Sequence, residues 1–205
     1  MMTDFLIDGT GEKGTFLFAH GAGAGMESDF MVAFATGLAK RGFTVARFEF
    51  PYMVTRRQDG KKRPPDRAPK LLDAFRIAIS EVPGTGKLII GGKSMGGRIA
   101  SILAAETPDI CDGLLCLGYP FHPPGKPEKL RTEHLPAITA PTLVIQGERD
   151  PFGDRALVDD LSLPSTFQVH WAPDGNHDLS PRKASGHTAE DNWNAAMDTT
   201  AAYFS

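Results

Sequence analysis

Residues 87–105 read as a short apolar strand, a glycine-dense turn and an amphipathic helix. The run Leu88-Ile89-Ile90 is branched and apolar, which is typical of a parallel strand buried on both faces. After the turn, Ile99 and Leu103 stand four residues apart, on one face of the predicted helix. The stretch therefore predicts a strand-turn-helix unit.

The turn of this unit is the pentapeptide Gly92-Lys93-Ser94-Met95-Gly96, which matches the G-x-S-x-G pattern of a nucleophile elbow. In such an elbow the serine has a strained backbone, and its hydroxyl stands clear of the sheet. Glycine suits the second position on either side, because a Cβ there would crowd the neighbouring strand or helix. The alternative is a tight turn with an inert serine. The surrounding strand and helix favour Ser94 as a nucleophile.

Strand-like runs alternate with helical periodicity along the rest of the chain. This alternation implies an α/β fold with a mostly parallel sheet and helices on both faces. A length of 205 residues fits a single domain, 1–205, without a separate cap domain. The predicted strands, about six in number, are 15–19, 43–50, 88–90, 114–118, 141–147 and 167–171, and helices are predicted to begin near residues 29, 70, 95, 154 and 189.

Two segments lack a regular pattern. Residues 52–70 hold seven lysines and arginines interleaved with glycine and proline, and we expect a solvated loop there. This loop follows a predicted strand, so its cations would lie at the carboxyl edge of the sheet and attract an acyl group bearing a carboxylate or phosphate. Residues 119–140 are too short for a helical lid domain, which predicts an open pocket.

The composition argues against several classes of partner. A net charge of −3 speaks against nucleic acid or a membrane surface, because phosphate-binding surfaces need an excess of positive charge. The first residues lack the basic and apolar regions of a signal peptide, and no run is long enough to span a membrane. Cys111 and Cys116 are not expected to form a disulfide, which suits a reducing compartment. We therefore expect a cytoplasmic protein with a small-molecule partner.

Asp150 and His177 are the predicted partners of Ser94. Each follows a different predicted strand, and loops after parallel strands meet at the carboxyl edge of a sheet. A histidine there would accept the serine proton, and an aspartate would fix the imidazole tautomer. The other candidates are Glu148, Asp154 and Asp178 for the acid, and His20, His122, His134, His170 and His187 for the base.

Two backbone amides are predicted to bind the oxyanion of a tetrahedral intermediate. They are the N–H of Met95, just after the nucleophile, and the N–H of Ala22, with Gly23 as second choice. The sequence from Gly21 to Gly25 also suggests a dinucleotide-binding loop, but G-x-G-x-x-G would need glycine where Met26 stands. No cofactor and no metal site are expected.

With these motifs the chain resembles the α/β-hydrolase superfamily, in particular small capless members related to dienelactone hydrolases. The resemblance covers roughly residues 14–204 and includes the chain order Ser94, Asp150, His177. It implies the α/β-hydrolase fold, with a trimmed sheet, and a catalytic triad. Dienelactone hydrolases proper carry a cysteine where this chain has Ser94, which argues against a dienelactone substrate.

The function that uses all of these groups is hydrolysis of a carboxylic ester or thioester through an acyl-Ser94 intermediate. A small-peptide amidase would use the same triad. A binding or scaffold protein that keeps the fold without turnover is the alternative from another class. The combination of nucleophile, base, acid and oxyanion loop favours the enzyme.

Overall fold

The computed structural model describes residues 3–84 and 86–205. Its strands are β1 (Leu6–Asp8), β2 (Thr15–Ala19), β3 (Thr44–Phe48), β4 (Leu88–Lys93), β5 (Gly113–Leu117), β6 (Thr142–Gly147) and β7 (Phe167–Ala172). They form a seven-stranded sheet in the order β1-β3-β2-β4-β5-β6-β7. β1 is antiparallel to β3, and the other neighbouring pairs are parallel.

Helices lie in the connections between parallel strands, and a last helix follows β7. These are α1 (Asp29–Ala39), α2 (Pro51–Asp59), α3 (Ala68–Glu81), α4 (Met95–Glu106), α5 (Arg155–Asp159) and α6 (Ala189–Phe204), with short 3₁₀ turns at Leu135–Ala137 and Lys183–Ser185. None of the helices in the described part of the chain is long and apolar enough to cross a membrane.

The core lies on both sides of the sheet, because successive side chains of a strand point to opposite faces. In β2, Phe16 and Phe18 belong to the apolar layer formed with α1 and α6. The centres of the Phe16 and Phe204 rings are 5.6 Å apart. Leu17 and Ala19 belong to the opposite layer, with α3 and α4. The strand is therefore buried along its whole length.

The predicted α/β architecture, a mostly parallel sheet with helices on both faces, is confirmed. The strand count of about six is corrected to seven by β1. This strand has only three residues and pairs along one side with β3, so it is too short to show an alternating pattern. Cys116 is buried, and neither cysteine forms a disulfide.

The prediction of an irregular loop over 52–70 is wrong for its first part, where α2 forms. Pro51 occupies the first turn of α2, where its missing N–H costs nothing, and Tyr52 and Met53 are buried. The Asp66 carboxylate accepts a hydrogen bond of 3.0 Å from the Tyr52 N–H. Gly60, with φ of 72°, then ends the helix. Burial of these two side chains stabilises α2, whereas the many charged residues of the segment predict a loop from the sequence.

Candidate active site

The elbow lies at the carboxyl end of β4, between the neighbouring strands β2 and β5. Ser94 joins β4 to α4 with φ of 51° and ψ of −112°, a conformation that L-residues rarely adopt. Its N–H donates to the carbonyl of Leu117 at 2.9 Å. A Cβ on Gly92 or Gly96 would collide with the backbone of Ala19, as the sequence predicts. The strained serine is therefore held by the close approach of two strands and a helix.

Ser94, His177 and Asp150 form a hydrogen-bonded chain. The Nε2 atom of His177 lies 2.9 Å from the Ser94 Oγ, and its Nδ1 atom lies 2.8 Å from the Asp150 Oδ2. An ionised carboxylate only accepts hydrogen bonds, so Nδ1 carries the imidazole proton and Nε2 is free to accept from the serine hydroxyl. The structure thus brings the three residues together with the polarity that proton abstraction from Ser94 requires.

The Asp150 carboxylate is almost fully buried and held by two donors. The Phe152 N–H donates to Oδ1 at 2.9 Å, and the Gln146 side-chain amide donates to Oδ2 at 3.1 Å. Gln146 is itself fully buried at the end of β6 and also accepts from the Tyr119 N–H at 2.8 Å. The sequence reasoning missed this glutamine, although a polar side chain inside an apolar strand is a signal for a buried partner.

The other candidate acids have partners of their own. Asp154 caps α5 by accepting from the Leu157 N–H at 3.0 Å. Glu148 accepts from the Asp174 N–H at 2.9 Å and pairs with Arg155. Asp178 lies 3.2 Å from the Lys93 ammonium. Of the four carboxylates that the sequence offers, only Asp150 is hydrogen-bonded to the His177 ring in the described structure.

Ion pairs of Asp174 stabilise the loop that carries His177 and connect it to the loop of Asp150. The Asp174 carboxylate accepts from the Arg182 guanidinium and lies 2.8 Å from Arg149, which belongs to the loop of Asp150. Hydrogen bonds from the Arg182 side chain and backbone, followed by the nearby arginine charges, lower the pKa of Asp174 to about 2. At neutral pH this carboxylate is ionised and links the acid loop to the histidine loop.

Lys93, the residue before the nucleophile, is a buried cation that the sequence reasoning did not assign. Its ammonium donates to the backbone carbonyl of His177, pairs with Asp178 and lies 5.1 Å from the centre of the Phe30 ring. Burial lowers its pKa, and Asp178 partly opposes that shift. Lys93 therefore ties the elbow to the histidine loop.

The predicted oxyanion donors lie on two elements beside Ser94. Met95 is the first residue of α4, so its N–H has no carbonyl partner within the helix. Ala22 lies in the glycine loop, residues 20–25, whose carbonyls at Gly21 and Ala22 accept from the Tyr52 hydroxyl at 3.3 and 3.0 Å. In a trans peptide the N–H points opposite to the preceding C=O, so the Ala22 N–H points away from Tyr52.

His20, a sequence candidate for the base, instead supports the glycine loop. It is fully buried, with Nδ1 2.7 Å from the Gly21 carbonyl, and Nε2 accepts from the Phe50 N–H at 3.1 Å. Burial lowers the pKa of His20 to about 4, against a raising effect from the Gly21 carbonyl. His20 is therefore neutral at pH 7, and both of its ring nitrogens form hydrogen bonds with backbone groups.

A second serine-histidine contact exists on α4. The Ser101 Oγ lies 2.8 Å from His134 Nε2, but it donates its own proton to the Arg98 carbonyl. Ser101 is fully buried, and within the described chain no carboxylate is hydrogen-bonded to His134. This pair is a packed structural contact, and it offers a matched control for Ser94.

A cavity of about 580 Å³ opens over Ser94 and His177. The glycine loop forms one wall, and the aromatic rings of Phe30, Phe152 and Trp193 supply apolar surface. The Phe152 ring also packs on His177, with 4.4 Å between ring centres. Within the described residues, no group of three or more histidine, cysteine or acidic side chains could hold a metal ion. The site is a mostly apolar pocket with a nucleophile at its floor.

The fold of this chain is similar to that of several solved structures. Solved structures of similar fold include a dienelactone hydrolase from Anabaena variabilis, at 23% identity, with 98% of this chain and 90% of that chain covered and a TM-score of 0.75. An α/β serine hydrolase without a lid from Xanthomonas campestris has 21% identity, coverage of 96% and 87%, and a TM-score of 0.72. Est1E from Butyrivibrio proteoclasticus, solved with ferulic acid bound, has 16% identity, coverage of 97% and 94%, and a TM-score of 0.71.

The family model described as the alpha/beta hydrolase domain matches residues 12–205. This range contains every element from β2 to α6 and all of the site residues described above. The chain therefore belongs to the α/β-hydrolase domain family.

Proposed function

We propose that the protein is a serine hydrolase that cleaves a carboxylic ester or thioester through an acyl-Ser94 intermediate. The observation that carries the proposal is the hydrogen-bonded chain from Ser94 through His177 to Asp150, with contacts of 2.9 and 2.8 Å. Membership of the hydrolase family supports it, as do similar structures that are themselves named hydrolases. In this proposal Ser94 is the nucleophile, His177 the general base and acid, and Asp150 the orienting acid.

Acylation begins with attack of the Ser94 Oγ on the substrate carbonyl carbon. His177 Nε2 takes the hydroxyl proton as the new C–O bond forms, and Asp150 stabilises the resulting imidazolium. The N–H groups of Met95 and Ala22 are proposed to bind the oxyanion, which develops only in the tetrahedral state. When this state collapses, His177 returns the proton to the departing alcohol or thiol.

Deacylation repeats these steps with water as the nucleophile. His177 removes a proton from water as its oxygen attacks the acyl carbonyl, and then protonates the Ser94 Oγ as the acid leaves. The cavity over Ser94 opens to solvent, so water reaches the acyl group without movement of a lid. Residues 119–140 form a single 3₁₀ turn, Leu135–Ala137, and otherwise no helix or strand.

A fluorophosphonate probe tests the nucleophile directly. We expect labelling of the wild type, loss of labelling in Ser94→Ala, and normal labelling in Ser101→Ala, which removes the other serine with a histidine contact. A panel of matched aryl esters, thioesters and anilides then tests the leaving group. Absence of both labelling and turnover in a folded wild type would contradict the proposal and favour a scaffold or binding role. Faster cleavage of anilides than of esters would favour the amidase.

A further inference from the structure

A second cavity lies beside the catalytic pocket, on the far side of the glycine loop. It has a volume of about 460 Å³ and is lined by Ala22, Gly23, Arg56, Lys62, Arg63 and Pro64. We call it the basic cavity, because three of these six residues are cationic and none is acidic. Ala22 and Gly23 also line the pocket over Ser94, so the two cavities meet at the glycine loop.

The fold directs these cations toward the site. α2 starts three residues after β3 ends, which places it at the carboxyl edge of the sheet. The chain after Gly60 then turns back, since Asp66 binds the Tyr52 N–H in the first turn of the same helix. Residues 56–66 therefore wrap around one side of the glycine loop.

Most of the positive charge in this cavity is not neutralised by the protein. Arg63 pairs with Asp59, but among the described residues Arg56 and Lys62 form no ion pair. The Arg56 guanidinium instead donates one N–H to the Gly23 carbonyl at 2.9 Å, which leaves its other donors for a ligand. The segment 56–70 contains seven lysines and arginines and two aspartates, within a chain of net charge −3. The excess cations are thus concentrated at this edge of the site.

The loop between the two cavities leaves room for a substrate to pass. A Cβ built on Gly23 would have no atom within 4 Å, so the loop presents open space at this residue. A substrate with its carbonyl at Ser94 and the Ala22 N–H would extend past Gly23 toward Arg56 and Lys62. Guanidinium and ammonium groups in a concave site favour carboxylate and phosphate oxygens.

From these contacts we infer that the preferred substrates are esters or thioesters carrying a second, anionic group, a carboxylate or a phosphate, that binds in the basic cavity. This inference rests on the proposed hydrolase function, and it assigns the substrate class that this site selects. Arg56, Lys62 and Arg63 act here as specificity residues and take no part in bond cleavage. Because Arg56 also holds the Gly23 carbonyl of the glycine loop, Lys62 and Arg63 are the residues to replace in a test.

The test compares pairs of substrates that differ in one charge. The 4-nitrophenyl monoester of glutaric acid is compared with 4-nitrophenyl valerate, and the butyryl ester of a phosphate-bearing alcohol with that of its neutral alcohol. The first pair places the anion on the acyl side and the second on the leaving group, so together they identify which side enters the basic cavity. We expect a higher kcat/KM for the anionic member of at least one pair.

Lys62→Gln/Arg63→Gln should lower that anionic preference about tenfold, because two partly exposed charge contacts are lost. The matched control is Lys61→Gln/Arg67→Gln, which removes the same charge from the same segment at two exposed residues that do not line the cavity and form no ion pair among the described residues. We expect less than a twofold change in the control. Equal effects in both variants, or no anionic preference in the wild type, would overturn the inference.

Binding to the Ser94→Ala variant separates this inference from the proposed function. Isothermal titration of that variant with both pairs of esters measures the anionic preference without turnover. Tighter binding of the anionic member of either pair that is lost in the Lys62→Gln/Arg63→Gln background supports the basic cavity, even if the wild type hydrolyses none of the esters. Equal binding of the two members in both pairs contradicts the anion site, even if all of the esters are hydrolysed.

Discussion

Replacing Ser94 by glycine should make the protein more stable than replacing it by alanine. Both variants lose the hydroxyl and its 2.9 Å contact with His177, so the comparison isolates the backbone. At φ of 51° and ψ of −112° an alanine keeps the strain of the wild-type serine, whereas glycine adopts this conformation freely. The order of stability is the reverse of the usual preference for alanine over glycine.

The size of the difference follows from two opposing terms. Backbone strain of this kind costs about 1–3 kcal/mol, and glycine relieves it. Glycine also gives the unfolded chain more freedom, which costs about 0.4–1 kcal/mol. The net expectation is that Ser94→Gly exceeds Ser94→Ala by about 1 kcal/mol in the free energy of unfolding. For a chain of this size that corresponds to a difference of about 3 °C in Tm.

Urea unfolding and calorimetry of the two variants measure this difference. The control pair is Ser80→Gly and Ser80→Ala, at an exposed position in the last turn of α3 where the backbone is helical. There alanine should be the more stable by up to about 1 kcal/mol. The reasoning is refuted if Ser94→Gly is no more stable than Ser94→Ala while the Ser80 pair behaves as expected.

Three further predictions concern the residues around the elbow. Because the pKa of buried His20 is about 4, against about 6.5 in the unfolded chain, its stabilising contribution is complete above pH 6.5 and is lost as the pH falls toward 4. Over this range the free energy of unfolding of the wild type should fall by about 3 kcal/mol relative to the non-titrating His20→Gln. Urea unfolding measures this change, and parallel pH curves for the two proteins would contradict the prediction. Tyr52→Phe removes the hydroxyl that donates to two carbonyls of the glycine loop, so kcat for an aryl ester should fall about 10- to 100-fold while Tm changes little. An unchanged kcat would show that catalysis does not require this contact. Lys93→Met keeps the apolar stem but removes the donor to the His177 carbonyl, so kcat/KM should fall about tenfold or more. Tm should be unchanged or higher, because a buried charge is lost. A lower Tm with full activity would instead show that Lys93 contributes to stability alone.

The sequence predicted best those features that local patterns encode. The strand and helix around Ser94 follow from short-range periodicity, and the G-x-S-x-G glycines follow from steric contact with Ala19. A helix is predicted to begin near residue 154, and in the structure Asp154 caps α5. The chain order and loop positions also selected Asp150 and His177, which the structure brings into contact.

Helix α2 and the roles of Lys93 and Gln146 were not predicted. α2 is stabilised by the burial of Tyr52 and Met53, and its cationic surface concealed this in the sequence. Lys93 and Gln146 reach partners 84 and 27 residues away, which no local pattern specifies. Their burial required the neighbours that only the folded sheet supplies.

The hydrogen bonds of Ser94 and Asp150 to His177 join residues 83 and 27 positions apart in sequence. Neither can form before the strands β4, β6 and β7 have been brought to one edge, and pairing of such distant segments is slow. The nucleophile is therefore activated only near the end of folding. During refolding, the appearance of fluorophosphonate reactivity should lag behind the recovery of helical circular dichroism. The reactivity of Ser94 would therefore report when the sheet is complete.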